Sequence, residues 1–310
     1  MAATDSRGSV FLDLSSRTKL RVAGNDRLRF LNGQLTNNVA KATSSTAIAA
    51  CVLNAKGKME AHVFASSSAD SFLIDADPEL REKLWQRLER YVIADDVQIE
   101  DITLQFSVFH VLGASLPELG KGCRVVAANR LRQPGTDIWV EAGGREALFE
   151  QLAAALPFCD DANAEVLRIE EGIPRWGREL TEEIIPVEAN LEGSSIDYEK
   201  GCYIGQEVIS RMKISGQRNK KLSGFISTND APLKAGMKLF PVGDEKKETG
   251  WITSSTRSKR LAKEIALGYI KRPFPPTHYK LEAVDADGPS SSAVRVEIVD
   301  LPFADETIQK

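Results

Sequence analysis

Lys200-Gly-Cys-Tyr-Ile-Gly-Gln-Glu207 gathers more reactive chemistry than any other stretch of the 310-residue chain. Two glycines bracket Cys202 and Tyr203, with a lysine before them and an amide and an acid after. Gly201 and Gly205 can take φ > 0 or let the backbone approach a ligand closely. Cys202 would then sit on a constrained turn near the cations Lys200 and Arg211, with a helix beginning at Gln206. Positive neighbours and a helix N-terminus lower a thiol's pKa and favour the reactive thiolate. An ordinary strand-to-helix turn around a small buried residue has the same composition. Residue types alone leave both readings open.

A nucleophilic cysteine normally works with a base. The histidines are His62, His110 and His278, and none lies in a pairing motif. His62 and His110 fall in strand-like apolar segments, which reads as core or edge histidine rather than catalytic. No His, Cys or carboxylate cluster has metal-ligand spacing. Asn54-Ala-Lys-Gly-Lys58 fits neither GxGxxG nor GxxxxGK[ST] and reads as a turn between strands. Asp95-Asp96 reads as a turn or cap.

Net charge is −4 with a pI near 5.6, so no global field draws the molecule to nucleic acid or an anionic membrane, and neither partner is expected. Cys51, Cys123, Cys159 and Cys202 lack CxxC spacing, which fits a reducing compartment. The N-terminus has no apolar leader, and no 18-residue apolar run occurs. A soluble, cytoplasmic protein is expected. At this length the chain can bury sizeable cores in two or three domains.

The positioning elements come next. Strands are expected at 19–22 and 47–53, with a short helix between them capped by Asn25 and closed by Gly33. Segments 61–65 and 71–75 resemble a hairpin. A helix follows with Asp77 as N-cap, Pro78 first, and Leu80, Leu84 and Leu88 on one face. Further helices are expected at 145–156 and 162–171. From Leu222 onward, strands at 222–227, 237–241, 248–255, 265–271, 280–284 and 293–298 are divided by turn residues. That pattern reads as a small antiparallel barrel or sandwich. The expected division is 1–221 and 222–310, with the basic junction Arg211–Lys221 as a solvated linker.

Four segments are specific in combination: Phe30-Leu-Asn-Gly-Gln-Leu-Thr-Asn-Asn38, Asn54-Ala-Lys-Gly-Lys-Met59, Leu167-Arg-Ile-Glu-Glu-Gly-Ile-Pro174 and Lys200–Glu207. In that order they resemble the YgfZ family of folate-binding proteins, relatives of the glycine-cleavage T-protein (aminomethyltransferase). Ile265-Ala-Leu-Gly-Tyr-Ile270 also looks like that superfamily's C-terminal barrel. The resemblance implies an α+β, three-lobed cloverleaf fold with a C-terminal antiparallel β-barrel. It also implies a central opening for tetrahydrofolate, and a role in making or maintaining iron–sulfur enzymes, including one that thiolates tRNA. Iron–sulfur proteins or their assembly machinery are the implied partners.

Glu170 matches the family acid that would bind the pterin's amino and ring N–H groups. A carboxylate suits a planar donor pair. Thr36 and Asn37 match the same cavity's lining. Arg175, Tyr203 and Arg211 are candidates for folate stacking or glutamate pairing. Cys202 and Lys200 match the signature whose cysteine matters to function. The transferases carry an acidic pair where Gly57-Lys-Met-Glu-Ala-His-Val63 has Ala61 and His62, so aminomethyl transfer is not expected. A folate-dependent accessory protein acting through Cys202 is the leading reading. A one-carbon transferase and a non-catalytic scaffold for iron–sulfur apoproteins are the alternatives.

Overall fold

A computed structural model describes residues 8–113, 115–244, 246–285 and 293–303. The chain forms two compact units, and neither is one continuous stretch. The first runs to Ala164 and takes in Gly193–Val208. The second combines Glu165–Glu192 with the chain from Ile209. The barrel therefore does not stand alone beyond residue 221; it shares a unit with a preceding segment.

The first unit opens with β1 (Val10–Asp13), β2 (Thr18–Ala23), α1 (Arg27–Gln34) and β3 (Ile48–Leu53). β4 (Met59–Ser67), β5 (Ser71–Ala76), α2 (Arg81–Glu89) and β6 (Gln98–Asp101) follow. It continues through β7 (Phe106–Leu112), β8 (Arg124–Ala127), β9 (Gly135–Glu141), α3 (Arg145–Ala155) and α4 (Asp161–Glu170), whose second half enters the other unit. The strands make a five-stranded sheet, β3-β4-β5-β2-β6, and a four-stranded sheet, β1-β7-β9-β8.

β7 shows why its sequence is apolar without alternation: both of its faces are covered. Phe109 and Val111 pack with Phe11, Ile138, Leu148 and Leu152 against α3. Val108 and Trp139 face the other way and pack with Leu73 of the five-stranded sheet. An ion cluster lies within this second layer. Arg130 donates to both oxygens of Asp75 (3.0 and 2.6 Å) and of Asp137 (2.9 and 2.7 Å). Its guanidinium carbon lies 4.1 Å from the Phe64 ring centroid. Arg17 also bonds Asp75, and His110 Nδ1 lies 2.7 Å from Asp137. Burial alone would raise both carboxyls, but Arg130, with Arg17 on Asp75 and His110 on Asp137, holds them below the usual range.

Two expected caps are displaced. α1 begins after Asp26, while the Asn25 side chain donates instead to Asp96 at 2.7 Å. Gly33 lies inside α1 rather than closing it. Asp77 does hold the N-cap position before Pro78, but without a side-chain cap bond, since its carboxylate accepts from Arg17 at 3.1 Å.

In the second unit, β10 (Lys220–Ser227), β11 (Lys238–Pro241), β12 (Gly250–Ser258), β13 (Lys263–Lys271), β14 (Lys280–Val284) and β15 (Val294–Val299) close a barrel in the order β10-β13-β12-β11-β14-β15. Phe225, Leu239, Ile252, Ile270, Leu281, Val296 and Ile298 fill it. The junction is only partly a linker, because Arg211–Ser215 is helical and Lys220 opens β10.

Removing the shared cation should be costly. Arg130→Met leaves two buried carboxylates facing each other and is expected to lower stability by about 3–5 kcal/mol in urea unfolding. Adding Asp75→Asn and Asp137→Asn should recover part of that loss. An unfolding midpoint unchanged by Arg130→Met would refute the assignment.

Candidate functional site

The octapeptide lies in the first unit, after α5 (Glu192–Ser195), and leads into α6 (Gln206–Ser215). Three contacts fix it. Lys200 Nζ donates to the carbonyls of Asn32 and Leu35, both at 2.7 Å, at the C-terminal end of α1. The Ile204 N–H donates to the Gly33 carbonyl at 3.1 Å. Gly205 takes φ +84° against the β3–β4 turn, where a methyl group would lie 2.7 Å from the Asn54 carbonyl oxygen. Gly201, in contrast, is exposed and has no positive φ.

Between these anchors Cys202 is exposed, whereas Cys51 and Cys159 are buried. Lys200 is therefore a positioning residue: its ammonium holds α1 carbonyls and is largely withdrawn from solvent. Burial lowers its pKa to about 8. Tyr203 turns inward, and burial pushes its hydroxyl up to about 12. That hydroxyl has no hydrogen-bond partner among the described residues.

Thr36 and Asn37 converge on the same unit's interior but are heavily used. Thr36 Oγ1 donates to the Ser195 carbonyl at 2.5 Å and accepts from the Cys51 N–H at 2.8 Å. Asn37 donates to the Ala49 carbonyl at 2.8 Å and accepts from the Asn38 N–H. His62 has a partner that its segment gave no sign of: Nε2 lies 3.1 Å from Ser195 Oγ, which lies 3.1 Å from Ser194 Oγ. Burial lowers the imidazole to about 4, so it is neutral at physiological pH. Glu60, the acid beside it, is bonded to Arg87.

The other candidates belong to the second unit. Glu170 is buried; Ser258 Oγ donates to one carboxylate oxygen and Arg260 Nε to the other at 3.3 Å. Arg175 is exposed and reaches Glu165 at 3.3 Å, and Arg211 is exposed on α6. Sequence reasoning missed Arg168 and Glu179 nearby. Arg168 donates to Glu179 and to Ser254, both at 2.9 Å. Only their charge inside an otherwise mixed segment could have flagged them. Among the described residues no group of three or more His, Cys, Asp or Glu could hold a metal ion, and no helix is long and apolar enough to cross a membrane.

A two-sheet α+β unit joined in sequence to a closed six-stranded antiparallel barrel defines a T-protein-like fold. Residues 3–121 match the GCVT N-terminal domain, and residues 220–305 match the glycine cleavage T-protein C-terminal barrel domain. The chain belongs to the GcvT-like superfamily. The crystal structure of the glycine cleavage system aminomethyltransferase T from Bartonella henselae superposes with a TM-score of 0.83 at 18% identity, covering 96% of this chain and 87% of that one.

A putative chloroplastic transferase of Arabidopsis thaliana is 28% identical over 86% of this chain and 66% of its own length. The mitochondrial iron-sulfur cluster assembly factor IBA57 homolog of Dictyostelium discoideum is 26% identical over 67% of this chain and 60% of its own. An aminomethyltransferase of Rubrobacter xylanophilus is 27% identical over 97% and 84%. The chain thus spans about two thirds or less of the length of the first two of these curated relatives.

Two outcomes follow from the geometry. His62 binds a proton at about pH 6.5 when unfolded and at about 4 when folded, so between those values the unfolded state binds more protons. Its contribution, at most about 3 kcal/mol, is present above pH 6.5 and lost as pH falls towards 4. Urea unfolding at pH 7 and 4.5 should show a smaller pH difference in His62→Gln than in wild type; equal differences would exclude the half-buried, neutral imidazole. Gly205→Ala should cost at least about 1–2 kcal/mol, because it forces a side chain into a left-handed position and against the Asn54 carbonyl. Thermal unfolding measures it, and an unshifted midpoint would contradict the packing.

Proposed function

We propose that the chain binds a tetrahydrofolate-type cofactor and serves the assembly or repair of iron–sulfur enzymes, tRNA-modifying ones included, through Cys202. The observation that carries this is the exposed thiol on a turn anchored to α1 on one side and to the β3–β4 turn on the other. A thiol presented outward from a fixed backbone is suited to meeting another macromolecule. A structural cysteine would be turned inward, as Cys51 is. The Dictyostelium relative, named as an iron–sulfur cluster assembly factor, supports the same direction. One cysteine cannot hold a cluster, which usually takes four ligands, so Cys202 acts transiently or together with a client's ligands.

The residues present are compatible with a folate. Ser258 and Arg260 each engage one oxygen of Glu170, and a carboxylate offers about four acceptor sites, so capacity remains for a pterin's donor pair. The orphaned Tyr203 hydroxyl is a protonated donor in the first unit. When bound, the folate would supply a one-carbon carrier. Of the chain's own residues, Glu170 in the second unit would accept from the pterin. Free cysteines throughout fit a cytoplasmic setting.

A second reading, a folate-dependent aminomethyl transferase, draws on the Rubrobacter relative, which matches almost the whole chain. The β4 segment weighs against it. Glu60 is bonded to Arg87, and the position after Ala61 holds an imidazole bonded to serine rather than a carboxylate. Aminomethyl turnover with tetrahydrofolate and a lipoyl-carrier substrate separates the two, and measurable turnover would favour the transferase.

Calorimetric titration of tetrahydrofolate should give binding to wild type and to Cys202→Ala, and at least tenfold weaker binding to Glu170→Ala. Cys202→Ala should fold normally yet fail to rescue a strain lacking the native homologue. Full rescue by Cys202→Ala would overturn the thiol's role. Absence of folate binding by wild type would overturn the cofactor assignment.

A further inference from the structure

The outer wall of the barrel carries a row of cations around a tryptophan that none of the preceding chemistry uses. The registers Lys220↔Lys271, Trp251↔Tyr269 and Lys238↔Trp251 put these residues on one face of the adjacent strands β10, β13, β12 and β11. Their neighbours Ile252 and Ile270 point into the core, so this face is the outside. Trp251 is half-buried, and its ring lies 5.4 Å from that of fully buried Tyr269, whose hydroxyl donates to the Glu179 carbonyl at 3.0 Å. The indole therefore rests on a rigid support.

The ammonium groups of Lys220 and Lys271 lie 5.9 and 5.8 Å from the indole centroid. Glu248 is shared: it bonds Lys271 at 2.6 Å and lies 3.6 Å from Lys238. Lys220 donates to the Glu183 carbonyl at 3.1 Å and lies 3.9 Å from the buried Glu188 carboxylate. Two ammoniums thus lie beside the indole, a third belongs to its strand neighbour Lys238, and the half-buried Glu248 carboxylate bridges Lys238 and Lys271. Arg272, the next residue after Lys271, is also exposed.

We infer that this face binds a single-stranded polynucleotide, with a base stacked on Trp251 and phosphates paired with Lys220, Lys238 and Lys271. A positively charged track with an aromatic platform is how single strands are held without sequence readout. Lysine is depleted at protein–protein interfaces, which places an acidic protein partner second. The overall charge of −4 does not oppose this, because exposed charges act over about 10 Å at 0.1 M salt. The inference is independent of Cys202 and of folate.

The test is fluorescence anisotropy of a labelled 12-nucleotide oligouridine with the full chain. Binding at 50 mM salt should weaken about 15-fold at 200 mM, since three phosphate contacts on a single strand give a slope near −2. Trp251→Ala should weaken binding about tenfold, from lost stacking worth about 1–3 kcal/mol. Trp251→Phe, which keeps a ring, should retain most of the affinity and guards against misfolding as the cause. Lys238→Gln with Lys271→Gln should reduce the salt slope to about −0.7. No binding at 50 mM, or variants that bind like wild type, would overturn the inference. So would a polyglutamate peptide that binds more tightly than the oligonucleotide, which would assign the face to an acidic protein.

Discussion

Arg130 joins two sheets through one guanidinium. Asp75 comes from β5 of the five-stranded sheet and Asp137 from β9 of the four-stranded one, and the same side chain holds both. Burial alone disfavours the charge of both carboxylates, and Arg130 is the one cation they share, with Arg17 on Asp75 and His110 on Asp137 as further partners. Leu73, Val108 and Trp139 close around the same region, so apolar packing and the ion cluster demand one relative placement of the sheets. The rest of the first unit depends on that registry. β4 lies next to β5, and β3 next to β4, so His62 on β4 and Cys51 on β3, with Thr36 bonded to Cys51, inherit their positions from it.

The anchoring of the octapeptide repeats the same economy with main-chain partners. Lys200 is a strong donor placed where a helix leaves its last carbonyls unpaired. A lysine beside a cysteine reads, from sequence, as an electrostatic activator. In the fold it fixes where the cysteine is, which is a different contribution to the same site. The inward Tyr203 and outward Cys202 then follow from a backbone already fixed at residues 200, 204 and 205.

The barrel was the most legible part of the sequence, because each strand is local, apolar on one face and bounded by turn residues. The expected segment 280–284 coincides with β14, and 222–227 falls two residues short of β10's start. β1 and β8 were not legible: four residues each are too few for a period to show. Gly33 was read as a helix end on residue type, but its carbonyl takes a hydrogen bond from Ile204, far away in sequence. The Arg130 cluster was hidden for the same reason, since Asp75 lies 55 residues away. Cys202 stands out in the sequence by its glycines and lysine, but that its thiol is exposed is visible only in the fold. The His62–Ser195 pair was not, because nothing in Gly193-Ser-Ser-Ile196 marks a partner for a histidine on β4.

The interleaving of the two units has a consequence for how the protein is made. When residue 192 leaves the ribosome, the first unit still lacks 193–208. Thr36 then has no Ser195 carbonyl to bond, and the end of α1 lacks the Lys200 ammonium. Synthesis must proceed past Val208 before that core is complete, and by then the opening segment of the second unit is already outside and waiting for its barrel. The nascent chain therefore carries two unfinished halves at once for much of its emergence, a period in which holding chaperones have the most to protect.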